Sequence, residues 1–552
     1  MIDLIYKIYK YFSKTERRVF WAALSVFLVS SVLWSLLLFY SKTVEVPVES
    51  SSYQEGIIGQ PIFINPLLAG NNDADRDLIE LLFSDLLDLA ESHKISEDGQ
   101  TWKVTLKPDL KWSDGKALTS DDVIFTIDII QNSDARSPLF LTWQGVIVER
   151  LSEQEIEFTL RTPYAFFLDN LNELKIIPKH IFGVLPPENF RLSNFNLEPV
   201  GSGPYKYLSF EKRKDGFITD YHLTANEYYP LQKPFLKDFN VKFYKNTGDL
   251  IGAFNKKQVD GFGGLNPKNI EELKLTKQIV KKIIPRYYAI FINKNTGPST
   301  DKNVVRALNL ATDKQKIIDE ILGGEALIIN EPLLPVIEGY DRAADPGNEF
   351  SLEKAKEILD KAGWKLNPET NVRSKKIGRA VEQLEYALIV PQIPFLTETA
   401  NIIKENWAEI GVKLNPILLN PNDINNEVIK TRNYQMILFG NVLRNNPDLF
   451  SFWHSSERFY PGLNLALYDN KKVDALLESI RKNLNAESRK NDLTKLQQLI
   501  SDDQPAIFLY SPKYLYAALK NLGGWEEEII ATPSDRFEKV NLWYLETARV
   551  FK

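Results

Sequence analysis

A chain of 552 residues is too long for one hydrophobic core, which points to two or three domains. Its 44% hydrophobic and 25% charged residues are those of a folded globular protein, and a net charge of −6 without a long basic run beyond the first residues argues against nucleic acid as a partner. The absence of cysteine excludes thiol nucleophiles, disulfides, zinc–cysteine sites, iron–sulfur clusters and lipid attachment at an N-terminal cysteine.

From Val19 to Tyr40 runs VFWAALSVFLVSSVLWSLLLFY, 22 residues without a charge. As a helix it measures about 33 Å, enough to cross a hydrocarbon layer of roughly 30 Å. Lys7, Lys10, Lys14, Arg17 and Arg18 precede it against only Asp3 and Glu16. The positive-inside bias therefore makes 1–18 a cytoplasmic basic segment, 19–40 a transmembrane helix and everything after Lys42 extracytoplasmic. A cleaved signal peptide is the competing reading. Against it, the apolar run exceeds a signal core, and Phe39-Tyr40-Ser41-Lys42-Thr43 lacks a small-x-small cleavage pattern. Residues 41–55, which include TVEVPVESSSYQE, are expected to form a polar tether.

Beyond the tether, alternating strands mix with capped helices, with no internal repeat. TWKVTLKPDLKW (101–112) alternates like a half-buried strand, and EQEIEFTLR (153–161) puts Ile156, Phe158 and Leu160 on one face. Asp114-Gly115 predicts a tight turn. Thr119 predicts a helix N-cap completed by Asp122 three positions later, with Asp121 and Asp122 in the first turn and Val123, Ile124, Ile127 and Ile130 as the apolar stripe. The three clustered aspartates are thus read as structural. Ser351 predicts an N-cap with Gly363 as the stop, and a helix before Ala311 is followed by a second one, capped by Thr312 or Asp313 and ending at Gly323-Gly324.

The four histidines, His93, His180, His222 and His454, show no metal-ligand spacing, and no nucleophile elbow or phosphate loop occurs. GFGG (261–264) is too short for a nucleotide fingerprint, and Asp502-Asp503 reads as a solvated helix end. No catalytic residues, metal or cofactor are assigned, and the chain is read as a non-enzyme, although a distant carboxylate pair leaves no local signature. With 10 Trp, 23 Tyr and 31 Phe, a solute-capturing protein whose pocket has apolar walls fits the composition.

Several blocks resemble, in order, the extracytoplasmic solute-binding proteins of peptide and nickel ABC transporters: INPLLAGNNDADRDLIELLFSDLL (64–87), SEDGQTWKVTLKPDLKWSDGKALTSDDVIFT (96–126), IIPKHIF, PVGSGPYKYLSF (199–210), AFNKKQVDGF, YYAIFINKNTGPSTDKNVVRALNLATDKQKII, AKEILDKAGW and NIIKENWAEIGVKL. The resemblance implies an α/β, periplasmic-binding-protein-like fold of two lobes. Lobe one would comprise 56–90, 196–287 and 512–552, with an inserted second domain at 91–195, and lobe two 288–511. Crossing strands near Tyr287 and Ser511 would form a hinge, with the ligand held between the lobes. It further implies a monomeric receptor for a peptide or small solute that delivers to ABC permease subunits and is held at the membrane by its N-terminal helix. The alternative is a cell-surface receptor or adhesion protein of the same fold.

Site residues follow from the same resemblance. A ligand wall falls at Gly70, Asn71 and Asn72, and Trp143 lies beside a position from which an aromatic faces the ligand. In MILFGNVLRNNPDLFSFWHSS (436–456), Gly440 is followed by Asn441 where peptide binders typically show Trp. Arg444 falls near the place of an Asp that pairs with the peptide's amino terminus, so it would favour a carboxylate there. In a shifted register Asn446 or Asp448 serves instead, and Trp453 is either pocket or core.

Overall fold

The computed structural model describes residues 11–296, 301–343, 347, 349–443, 446–519, 521–525 and 529–552, apart from the side chain of Ser51. Helix α1 (Lys14–Lys42) contains the apolar run and extends it at both ends. Its start is a capping box: Ser13 N–H donates to Glu16 Oε2 at 2.7 Å, and Glu16 N–H donates to Ser13 Oγ. None of its residues is buried by the rest of the chain, and the helix is long and apolar enough to cross a membrane.

The chain then forms β1 (Thr43–Val48), β2 (Ser50–Ile58) and α2 (Asp73–Leu82). An antiparallel four-stranded unit follows, made of β3 (Ala90–Ile95), β4 (Thr101–Leu106), β5 (Ile147–Arg150) and β6 (Glu155–Thr159) in the order β3-β4-β6-β5, with α3 (Ser120–Gln131) after β4. Trp102, Val104, Ile127, Ile156 and Phe158 pack its core. Strands β7 (Tyr205–Lys212), β8 (Ile218–Ala225), β9 (Leu236–Tyr244), β10 (Gly261–Gly263) and β11 (Lys277–Ile283) join β2 in the first lobe. The second lobe is built on β12 (Arg286–Ile292) and β13 (Ala326–Ile328), and after a three-stranded flap of β14 (Lys365–Leu366), β15 (Arg373–Ile377) and β16 (Ala380–Gln383) adds β17 (Glu385–Pro391), β18 (Lys413–Leu419) and β19 (Met436–Val442). The chain ends in β20 (Ala506–Leu519) and β21 (Glu546–Phe551).

Among the described residues, one twelve-stranded sheet runs β18-β17-β19-β12-β20-β10-β2-β9-β8-β7, with β11 and β13 also on β20. Strand β20, AIFLYSPKYLYAAL, is apolar and buried along nearly all its length, as a central strand must be. Its first half pairs with β12 and β13 and its second with β10 and β11, so it passes through both lobes. Ile284-Pro285, between β11 and β12, crosses beside it, and Ser511 Oγ donates to the Ile284 carbonyl. In the second lobe, Ile290, Leu388, Leu438 and Trp407 pack in one core cluster, and Tyr287, Phe291, Ile437 and Phe508 in another. Tyr53, Phe239, Tyr516 and Trp543 centre the core of the first.

The polar tether expected at 41–55 is not what forms. Its first half pairs antiparallel with β21 from Thr43–Phe551 to Val48–Glu546, and its second half lies parallel to β9 in the main sheet. Val44, Val46 and Val48 give strand alternation that the polar intervening residues masked. A buried ion network secures β2 in the fold: Arg536 donates to both oxygens of Asp77 at 2.8 and 2.6 Å and to Glu55 Oε1 at 3.1 Å.

The capping signals hold. Thr119 caps α3, with Asp121 N–H donating to its hydroxyl and Thr119 N–H donating to Asp122 Oδ2. Asp122 Oδ1 also accepts the Lys179 N–H at 2.9 Å. Asp114 accepts the Lys116 N–H and lies 2.9 Å from His180 Nε2, while Gly115 has the positive φ (+86°) of the tight turn. Ser351 caps the helix Leu352–Lys361, and Asp313, rather than Thr312, caps Lys314–Leu322.

Candidate functional site: the interlobe cleft

A cavity of about 260 Å³ opens where three parts of the fold meet. Glu80 at the end of α2 and Asp85 just after it supply the first-lobe wall, and the turn holding Thr532, Asp535 and Glu538 extends that wall. The inserted unit supplies Asp169, Asn172, Glu173 and Lys175, and the second lobe supplies Asn446. Among the described residues, six carboxyl groups therefore line it with one ammonium, an acidic wall that suits a cation. Lys175 Nζ is committed to that wall, 3.1 Å from Glu80 Oε2 and 2.8 Å from Asp85 Oδ1. Burial pushes the Asp85 carboxyl up to about 6 against the pull of Lys175. It pushes Glu538 up to about 7, helped by Asp535 and Asp85, and raises Glu80 as well. Burial alone would lower the Lys175 ammonium, but Asp85 and Glu80 outweigh it and hold the ammonium above its ordinary value.

Beside the cavity the inserted unit docks on the second lobe. Asn446 Nδ2 donates to Asp169 Oδ2 at 3.1 Å. The Tyr164 hydroxyl donates to Asp448 Oδ2 at 2.9 Å, and Arg481 Nε reaches both Asp448 oxygens at 2.9 and 3.0 Å. Ala165 N–H donates to the Arg481 carbonyl at 2.7 Å. Phe166, 5% exposed, enters the second-lobe core that contains Trp453, Leu449 and Leu493. Arg481 also lies 3.9 Å over the Phe450 ring, so the ring helps hold the guanidinium against Asp448.

Of the residues singled out from sequence, Asn446 lines the cavity and Asp448 lies in the adjoining lobe contact. Asn72 caps α2 by accepting the Ala74 N–H, and its amide donates to the Gln60 carbonyl; Asn71 accepts from Arg76 Nη2. Trp143 does not face the cleft: it is 2% exposed and packs on Phe158 and Phe167 in the inserted unit's core. Trp453, 1% exposed among Phe291, Tyr468 and Phe508, takes the core alternative. Asn441 is buried and donates to the Tyr287 hydroxyl at 2.9 Å, while Gly440 leaves room for the Tyr288 ring that a Cβ would crowd to 2.9 Å. Arg444 lies outside the described residues. Glu80, Asp85, Lys175, Asp535 and Glu538 escaped sequence reasoning because they are scattered over more than 450 positions, and no local spacing joins them.

Residues 87–459 match the profile described as bacterial extracellular solute-binding proteins, family 5 middle. The chain is 27% identical over 522 residues to the oligopeptide-binding protein AppA of Bacillus subtilis, covering 91% of this chain and 93% of that one. The solved structure of Bacillus subtilis AppA in complex with a nonapeptide superposes with a TM-score of 0.70 at 25% identity, over 91% of this chain and all of that one. NikZ from Campylobacter jejuni, solved with Ni(L-His), gives 0.69 at 25% identity over 89% and 99% of the two chains. The profile match alone spans well over half of the sequence, and the two-lobed α/β architecture agrees with it: this chain is a member of the family 5 bacterial extracellular solute-binding proteins.

Proposed function

We propose that this chain is the membrane-anchored extracytoplasmic receptor of an ABC importer, which takes a short peptide or related cation-bearing solute between its lobes and passes it unchanged to a permease. The observation that carries this reading is the acidic cavity walled by both lobes and by the inserted unit. The relative AppA is named for oligopeptides and NikZ was solved with Ni(L-His), so these two relatives take cargoes of different size. A cavity of about 260 Å³ favours a solute well below a nonapeptide in size. A zwitterion suits both charge signals, its ammonium facing the carboxylates and its carboxylate facing Arg444 in the register read from sequence.

The lobes close about β20 and the Ile284-Pro285 crossing, and the Tyr164–Asp448 and Phe166 contacts belong to the closed arrangement. The proposed lobes keep the boundaries implied by the resemblance, with 91–195 inserted into the first, and residues 50–55 join the first lobe because β2 pairs with β9. Helix α1 is retained and replaces the lipid anchor that a cysteine-free chain cannot carry. The test is to purify the full chain in detergent, denature it, and identify co-purifying small molecules by mass spectrometry. A short peptide or other cation-bearing solute is expected. Recovery of a purely anionic solute, or a reaction product when the recovered solute is incubated with the chain, overturns the proposal.

A further inference from the structure

The last turn of α1 and strand β21 form one continuous surface. Thr43 pairs with Phe551, and Lys552 N–H donates to the Lys42 carbonyl at 2.9 Å. The Phe551 ring lies edge-on to Phe39, with centroids 6.0 Å apart. The Arg549 guanidinium lies 4.3 Å over the Tyr40 ring and donates to Thr43 Oγ1 at 3.3 Å and to Glu45 Oε1 at 2.8 Å. Strand alternation puts Phe551 and Arg549 on one face of β21. Phe551 is nevertheless 74% exposed, and Phe39 and Tyr40 are 40% and 56% exposed. A strand tip that presents a large ring to solvent beside two more aromatics lacks the cover that aromatic rings normally find.

We infer that the tip of β21 is a second membrane contact, with the Phe551 ring seated at the boundary between headgroups and acyl chains beside Phe39 and Tyr40. This rests on the reading of α1 as a retained anchor. The occupant follows from position: the apolar run of α1 ends at Phe39-Tyr40, where a spanning helix meets the interface, and aromatic side chains are favoured at that depth. A ring in contact with Phe39 shares its depth. The exposed surface is continuous with that of the helix, so the lipid that covers one covers the other. Arg549, its guanidinium over the Tyr40 ring, keeps its charge toward the headgroups, as long cationic side chains do at this boundary. From Phe551 back to Glu546 the strand climbs about 17 Å away from the bilayer. The β1–β21 ribbon is then a short stalk with both of its strands rooted at the membrane, which restricts how the receptor body tilts over its permease.

Because the chain has no cysteine, one introduced cysteine gives one label. Phe551→Cys, Glu546→Cys and Leu28→Cys, each carrying a nitroxide, are reconstituted as the full chain at one chain per lipid nanodisc, so that no second copy can cover the tip. Accessibility to a water-soluble nickel chelate and to lipid-dissolved oxygen is then compared. The inference expects Phe551→Cys to be severalfold less accessible to the chelate than Glu546→Cys and more accessible to oxygen, with Leu28→Cys deepest. Equal chelate access at 551 and 546, with Leu28→Cys still deep, overturns the inference and leaves the anchor intact. Water access at Leu28→Cys, or loss of residues 1–40 from the mature chain, overturns the anchor and the inference together.

Discussion

Asp114, Asp121 and Asp122 crowd into nine positions and invite a catalytic reading, yet each has a backbone or surface partner. Asp122 takes two N–H groups, Asp114 takes a turn N–H and His180, and Asp121 faces Arg150 and Lys179 at the surface. Thr119→Ala should therefore cost about 1 kcal/mol of stability and leave solute affinity unchanged, read by thermal unfolding and calorimetry. These roles were legible because a cap is decided within three or four residues. Arg536 is the opposite case: its partners Glu55 and Asp77 lie more than 450 positions away, and all three are buried. Arg536→Ala leaves two carboxylates without their cation and should destabilise the chain by about 3–5 kcal/mol, seen as a large drop in Tm. In the cleft, Asp85 near 6 and Glu538 near 7 ionise as pH rises from roughly 5 to 8. An ionised wall holds a cation more tightly, so binding releases protons and affinity climbs across that window before levelling. Calorimetry in buffers of different ionisation enthalpy measures both effects, and an affinity that falls with rising pH rules out a cation as cargo.

At the scale of elements, the segment Tyr164-Ala165-Phe166 joins the inserted unit to the second lobe through a hydrogen bond, a backbone bond and a buried ring. Removing a buried phenyl typically costs about 3–5 kcal/mol, and here that loss falls on the docked arrangement rather than on either body alone. Phe166→Ala should thus enlarge the radius of gyration of the solute-free chain in small-angle scattering and weaken solute binding at least tenfold, with Tm lowered less than by Arg536→Ala. An unchanged scattering profile with unchanged affinity means that the contact does not govern closure. Nothing in YAFF (164–167) announces this role, since an aromatic run reads equally as the core of its own domain. The strand pair β1–β21 was masked in a similar way, because its partner lies 500 residues away and its polar positions look like a tether.

At the scale of the whole molecule, the proposed function joins helix α1 as an anchor to the two-lobed body. A chain lacking residues 1–40 should bind solute with unchanged affinity, because among the described residues the cavity wall begins at Glu80, while uptake by cells should fall as the effective concentration at the permease is lost. Equal uptake by the truncated and full chains excludes tethering as the function of α1.

The amino-acid sequence by itself determined the apolar span, the helix caps, the strand alternation and the family order of blocks from 64 to 414, because each is written in neighbours a few residues apart or in long runs. Only the tertiary structure decided which carboxylates face the cavity, that Trp143 and Trp453 are core, and that residues 43–48 find their partner at 546–551. Those outcomes depend on which surfaces meet once β20 has threaded both lobes, and contacts between distant segments leave no periodicity to read.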